Sequence, residues 1–162
     1  MKPRSASRPG PSPYITPEGL HTLELELKQT WDRRSEVSAA LAAAAPEGDR
    51  SENAEYIYRK KQLREIDRRI RYLQRRIPRL QVVRSVRSRE RIYFGAWVTL
   101  ENESGSLCRY RIVGPDEIDA DSGRISVDAP LARELLGKGM DEEIVVEISG
   151  TRAEFVIRQI EY

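Results

Sequence analysis

Apolar positions along this chain change their period part-way through. Between residues 20 and 41 they fall at Leu20, Leu23, Leu27, Trp31, Val37 and Leu41, close to a three-four spacing that Arg34 interrupts. Thr16 is placed to cap a helix, with Pro17 at its first position and Glu18 in its first turn. Pro46 and Gly48 then stop that helix. A second helix restarts near Ser51 and carries Leu63, Ile66, Ile70, Leu73, Ile77 and Leu80 at steps of 3, 4, 3, 4 and 3. That is the a/d seam of a coiled coil. Two such helices joined by a short turn fold back as an antiparallel coiled-coil hairpin. At about 1.5 Å per residue, helices of about 30 residues make an arm on the order of 45 Å long. Pro78 is expected to end the second helix.

From about Arg91 the period changes. "RIYFGAWVTLEN", "LCRYRIVG", "RISVDA", "EIVVEIS" and "AEFVIRQIEY" are rich in β-branched and aromatic residues, with Gly, Ser, Asn and Asp turns between them. "PLARELLGK" reads as a short helix led by Pro130 and closed near Gly137. The expectation is an α+β chain: a basic, disordered tail over 1–13, a hairpin over 14–84 with its tip at 47–53, and a small antiparallel sheet of about five strands with one short helix over 85–162. Phe94, Trp97, Tyr110, Val113 and Phe155 are its expected core or core-edge residues.

Composition narrows the class. Charged residues make up 33% of the 162. No run of 18 apolar residues exists, so no membrane span is expected. The opening "MKPRSASRPGPSP" has no apolar segment of the kind a secretory signal needs. One cysteine, Cys108, precludes an internal disulfide and fits a reducing cytoplasm. With one His and one Cys, metal chemistry would have to use carboxylates, hence a hard ion such as Mg²⁺. The formal net charge of +2 hides an asymmetry: Tyr56 to Arg79 holds ten Lys or Arg against Glu65 and Asp67. Such a local excess points to a polyanion, of which nucleic acid is the commonest.

Two constellations stand out. At the turn of the hairpin, "EGDRSENAEY" crowds Glu47, Asp49 and Glu52 together. Asp49 and Glu52, three apart, suit a capping box in which Glu52 reaches back to the Asp49 amide. They equally suit a pair of carboxylates one helical turn apart, able to hold a divalent cation if a partner completes the ligand set. The second constellation is Lys60, Arg64, Arg68, Arg71 and Arg75, which share one helix face read as adjacent to the seam. This face is either a solvated flank paired with Glu24, Glu26 and Glu36 or a surface for nucleic acid. Tyr56 and Tyr58 beside it suit either base stacking or packing on the Ala-rich first helix.

These stretches resemble a known family. "EGDRSENAEY" followed by "YRKKQLREIDRRIRYL" is similar to the tip and second helix of the bacterial Gre transcript cleavage factors, in their GreB-like branch. "ITPEGLHTLELEL", "FGAWVTLEN", "YRIVGPDEID", "ISVDAPLARELLGK" and the final "IEY" are similar too, so the likeness runs from about Tyr14 to Tyr162. It implies a coiled-coil hairpin followed by an FKBP-like domain without isomerase function. It implies a factor that is not an enzyme by itself: it binds bacterial RNA polymerase at the secondary channel and stimulates cleavage of the nascent RNA 3′ end in backtracked complexes. Carried over, Asp49 and Glu52 are the catalytic tip pair and ligands of the second Mg²⁺, shared with the polymerase. Lys60, Lys61, Arg64, Arg68, Arg71 and Arg75 hold the extruded RNA. Asp128, Ala129 and Pro130 form the polymerase-docking loop, where Ala129 stands in place of the family's usual Ser. "DEE" at 141–143 and "SGTR" at 149–152 depart from the family's closing turns. A functional monomer in the cytoplasm is expected. A Gre-like regulator that occupies the channel and inhibits without cleaving is the alternative; an intact acidic pair argues against it.

Overall fold

The computed structural model describes residues 9–44, 50–84, 86 and 88–162, and at 50–53 the backbone alone. The chain divides into two compact units. One is Leu20–Leu80; the other joins residues up to Gly19 with Gln81–Tyr162.

The first unit is the hairpin, built from most of α1 (Pro17–Ala43) and from α2 (Arg50–Arg76). Val37, Ile66 and Ile70 form its buried cluster, with Leu27 and Leu63 packed on it. Leu23 and Leu73 are buried as well. The helices run antiparallel, as the ties between them require: Glu26 meets Arg69 and Arg34 meets Asp67, so the register descends on one helix as it climbs on the other. The α-helix gives way at Ile77–Arg79 to a single 3₁₀ turn that contains Pro78. Trp31, expected in the seam, is instead 43% exposed, with the Arg34 guanidinium 5.8 Å from its ring centroid. A cation over the indole face makes an exposed position tolerable for so large an apolar ring.

The second unit holds a five-stranded sheet. β3 (Trp97–Asn102), β4 (Leu107–Val113), β5 (Arg124–Ser126), β6 (Glu143–Ile148) and β7 (Thr151–Glu161) lie in the order β5-β4-β3-β7-β6. The sheet is mixed rather than wholly antiparallel. β4 and β5 pair in parallel, Arg111 to Val113 against Arg124 to Ser126, after a crossover that carries a 3₁₀ turn at Pro115–Glu117. The crossover displaces the chain far enough to return in the same direction, which a tight hairpin cannot do. Inward residues Val98, Leu100, Ile112, Ile144, Val146, Ile157 and Ile160 build one core, on which α3 (Pro130–Leu135) packs Leu131, Ala132 and Leu135. Tyr110 and Phe155 sit at its edge. Trp97 lies on the outer face, with Arg109 and Arg111 guanidiniums 4.4 and 5.9 Å from its ring centroid. The β6–β7 loop has only two residues, Ser149 and Gly150, both at positive φ, as a primed hairpin turn demands.

The chain entering α1 belongs to this sheet unit. β1 (Tyr14–Ile15) pairs in parallel with β2 (Gln81–Val82), so the strand before the hairpin lies beside the strand after it. The Gln81 amide donates to the Pro13 carbonyl at 2.8 Å and the Val83 amide to the Ile15 carbonyl at 2.9 Å. Thr16, buried, caps α1 through its hydroxyl, which accepts the Gly19 amide at 3.0 Å. Glu117 then clamps the cap: its carboxylate accepts the Thr16 amide at 3.0 Å, the Gly114 amide at 2.9 Å and the Thr16 hydroxyl. A Cβ at Gly114 would lie 1.9 Å from the Tyr14 carbonyl oxygen, so no larger residue fits there without displacing backbone.

Candidate functional site

Three surfaces were expected from the sequence, and they fare differently. The acidic tip falls largely outside the described residues: Asp49 is not among them, and Glu52 is placed only as backbone. α2 begins at Arg50, which puts Glu52 at its third position. That is the register a capping box starting at residue 49 would take. Among the described residues no group of three or more His, Cys, Asp or Glu lies close enough to hold a metal. The tip pair offers two hard oxygen donors, a chemistry that suits Mg²⁺ but leaves most of an octahedral shell to be supplied from elsewhere.

The basic row is placed in full. Lys60, Lys61, Arg64, Arg68, Arg71 and Arg75 are all exposed along α2. The sequence reading sets this face beside the seam. At 100° per residue its middle lies about 150° round the helix axis from the seam, almost directly opposite. The acids of the first helix do not neutralise it. Glu26 takes Arg69 in a two-pronged pair at 2.6 and 2.9 Å, and Asp67 takes Arg34 at 2.6 Å. Neither Arg69 nor Arg34 belongs to the row. The ion pairs that tie the hairpin therefore leave the row aside, and among the described residues none of its six cations reaches an acid within 4 Å. Tyr58 and Ile57, at its tip-proximal end, are 63% and 59% exposed, whereas Tyr56 is half-buried. Of the two tyrosines, Tyr58 is thus the one open to a base.

The expected docking loop, residues 128–130, lies at the start of α3. Pro130 is exposed and occupies the first helical position. Ala129 is the N-cap and, having no side-chain oxygen, gives no capping bond. Asp128 differs from the sequence reading, which treats it as a plain surface contact. It is half-buried, and its carboxylate accepts two hydrogen bonds from Ser12: the amide at 2.8 Å to Oδ2 and the hydroxyl to Oδ1. Its own amide donates to the Ser126 hydroxyl at 3.0 Å. The Ser12 contact spans 116 residues of sequence, and no local signal announces it.

The family model for the N-terminal region of transcription elongation factors matches residues 13–82, and the model for the C-terminal region of the GreA and GreB factors matches residues 87–162. The chain belongs to the GreA/GreB transcription elongation factor family. It is 52% identical to a transcription elongation factor GreB of Pseudomonas aeruginosa, over 99% of this chain and 94% of that one. It is 55% identical to a GreB of Xanthomonas axonopodis pv. citri, over 91% of this chain and 90% of that one. A solved structure of the transcription factor Gfh1 aligns over 92% of this chain and 97% of its own, with 24% identity and a TM-score of 0.43.

Proposed function

We propose that this factor binds bacterial RNA polymerase through the secondary channel and stimulates the polymerase's own cleavage of the nascent RNA 3′ end in backtracked complexes. Cleavage chemistry stays with the polymerase, and the chain is not an enzyme by itself. It acts in the cytoplasm, where that polymerase transcribes. The observation that supports this most directly is the row of exposed cations on α2, which the ion pairs tying the hairpin, Arg69 to Glu26 and Arg34 to Asp67, leave aside. Exposed cations along one face suit the phosphates of a single strand.

The chain's own residues divide the work. Asp49 and Glu52 would hold the second Mg²⁺ together with polymerase ligands, and the α2 start at Arg50 fixes where the Glu52 backbone sits. When bound, that ion supplies Lewis-acid activation of water and of the scissile phosphate. Lys60, Lys61, Arg64, Arg68, Arg71 and Arg75 hold extruded RNA by its phosphates. Asp128, Ala129 and Pro130 dock the sheet unit on the polymerase.

The test is to incubate stalled, backtracked polymerase with the protein and resolve the RNA. Short 3′ fragments, and extension resuming from the new end, support the proposal. Polymerase inhibition without fragments would replace it with a channel-blocking regulator, and RNA binding without polymerase binding would overturn both.

A further inference from the structure

One residue on the cationic face of α2 is not a cation. At 100° per residue the six Lys and Arg of the row span about 100° of arc, and Ile57 falls inside that arc, about 10° from its middle. Ile57, Lys61, Arg64, Arg68, Arg71 and Arg75 follow one another at steps of 4, 3, 4, 3 and 4. Of the seven residues that the arc holds from Ile57 to Arg75, Ile57 alone is uncharged. It stands at the end of the row nearest the hairpin turn, strongly exposed and on the side of the helix away from the seam. Tyr58 is exposed too, but it lies about 110° round the helix from the middle of the row. A strand lying along the cations therefore passes over Ile57 rather than over Tyr58.

We propose that Ile57 contacts a base of the extruded RNA: it packs against the first nucleotide beyond the cut, while the cations behind it hold phosphates. This rests on the reading of the row as the RNA-holding face and of the tip as the place of the cut. The physical case has three parts. Cations hold a strand by its phosphates and do not distinguish its bases. An aliphatic side chain has no attraction for a phosphate, whereas nucleic-acid-binding proteins set Ile, Leu and Met against base faces and part neighbouring bases with them. Such a contact takes apolar surface of both partners out of water. Second, a β-branched side chain in a helix has one strongly preferred rotamer, so Ile57 loses little freedom when a base covers it. Third, Ile57 lies five residues beyond Glu52 on the same helix, about 7.5 Å along its axis. That is a step comparable with one nucleotide of an extended strand, so the nucleotide that leaves the metal-held bond is the first to reach it.

The experiment measures the cleavage rate at limiting factor in complexes backtracked by several nucleotides. It compares the parent, Ile57→Ala, Ile57→Met and a variant with Lys60, Arg64 and Arg68 all changed to Ala. Each is run on intact RNA and on RNA with an abasic nucleotide at the first or the third position beyond the cut. Melting temperature and salt dependence are measured alongside. Ile57→Ala is expected to slow cleavage of intact RNA by roughly three- to tenfold, the scale of part of an aliphatic side chain returned to water. Ile57→Met, which keeps an apolar contact, should behave as the parent. An abasic first nucleotide should slow the parent and erase the difference between it and Ile57→Ala; an abasic third nucleotide should leave that difference in place. Salt dependence should be unchanged by Ile57→Ala, because no phosphate contact is lost. Its melting temperature should be unchanged as well. Parental cleavage by Ile57→Ala beside a slowed triple variant would overturn this inference and leave the RNA reading of the row standing. A loss equal with and without the first base would overturn it too, as would a lowered melting temperature, a flatter salt dependence, or an Ile57→Met variant as slow as Ile57→Ala. Parental cleavage by the triple variant would overturn the reading of the row, and this inference with it.

Discussion

The hairpin and the sheet unit solve the problem of holding a functional surface in opposite ways. Among the described residues of Leu20–Leu80 five apolar side chains are buried, Leu23, Val37, Ile66, Ile70 and Leu73. The sheet unit buries twelve in one cluster. A hairpin with so thin a core has most of its perimeter free, and α2 fills that perimeter with cations. The sheet unit instead spends its polar residues inward or locally. Thr16 and Glu117 close the entry to α1, Ser12 and Asp128 tie the loop at the start of α3, and Arg109 and Arg111 cover Trp97. The lesson is that a long helical pair can display charge because its seam needs only one face of each helix. A small sheet must use long-range polar ties to fix its loops.

The largest effect is expected where the hairpin meets chemistry. Asp49→Asn and Glu52→Gln preserve capping hydrogen bonds and delete the charge a divalent ion needs. Each should bind polymerase, melt within a few degrees of the parent, and lose roughly tenfold or more of its cleavage rate at low Mg²⁺, with part of the rate recovered as Mg²⁺ is raised. Near-normal cleavage at low Mg²⁺ would reduce the pair to a helix cap.

Next is the difference in core thickness. Leu73→Ala, at a fully buried seam position, should cost about 2–5 kcal/mol. Removing one of the few groups buried among its described residues should erase amide protection throughout Leu20–Leu80 while the sheet unit keeps its own. Equal loss of protection in both units by hydrogen exchange would mean that they unfold as one, and the contrast would fail.

A smaller, substrate-dependent effect should follow from replacing Lys60, Arg64 and Arg68 together with Ala. All three are exposed and take no part in the ion pairs that tie the hairpin, so stability should move by no more than about 0.5 kcal/mol for each. Cleavage should fall most on complexes backtracked by several nucleotides, and its salt dependence should flatten by roughly 0.7 of a unit of slope per lost phosphate contact on a single strand. An equal fall on short and long backtracks would make the face structural.

The smallest effect is on the sheet side. Ala129→Ser restores a side-chain acceptor at the N-cap of α3 and should stabilise the unit by about 0.5–1 kcal/mol. That corresponds to a rise of a few degrees in melting temperature for a chain of this size. No rise would indicate that the short helix is held by Pro130 and its packing alone.

Most of the hairpin was legible in the sequence because a helix writes its contacts locally. A three-four spacing names the seam, Thr16 and Pro17 name the start, and the same geometry puts Lys60, Arg64, Arg68, Arg71 and Arg75 on one face. The five strands and α3 were legible for the same reason. Tertiary structure alone decided which contacts close over a hundred residues or more. Strand period does not encode direction, so the parallel pairing of β5 with β4 was not readable. Two-residue strands such as β1 and β2 are too short to carry a period at all. Nor does composition say that Ser12 will meet Asp128 or Thr16 meet Glu117, because a hydrogen bond between distant polar residues leaves no mark on either one's neighbours. Trp31, read as a seam residue, is instead exposed with Arg34 one helical turn away over its ring, while Trp97, read as a core or core-edge residue, is half-buried on the outer face of the sheet, where pairing of β3 with β4 brings Arg109 over it.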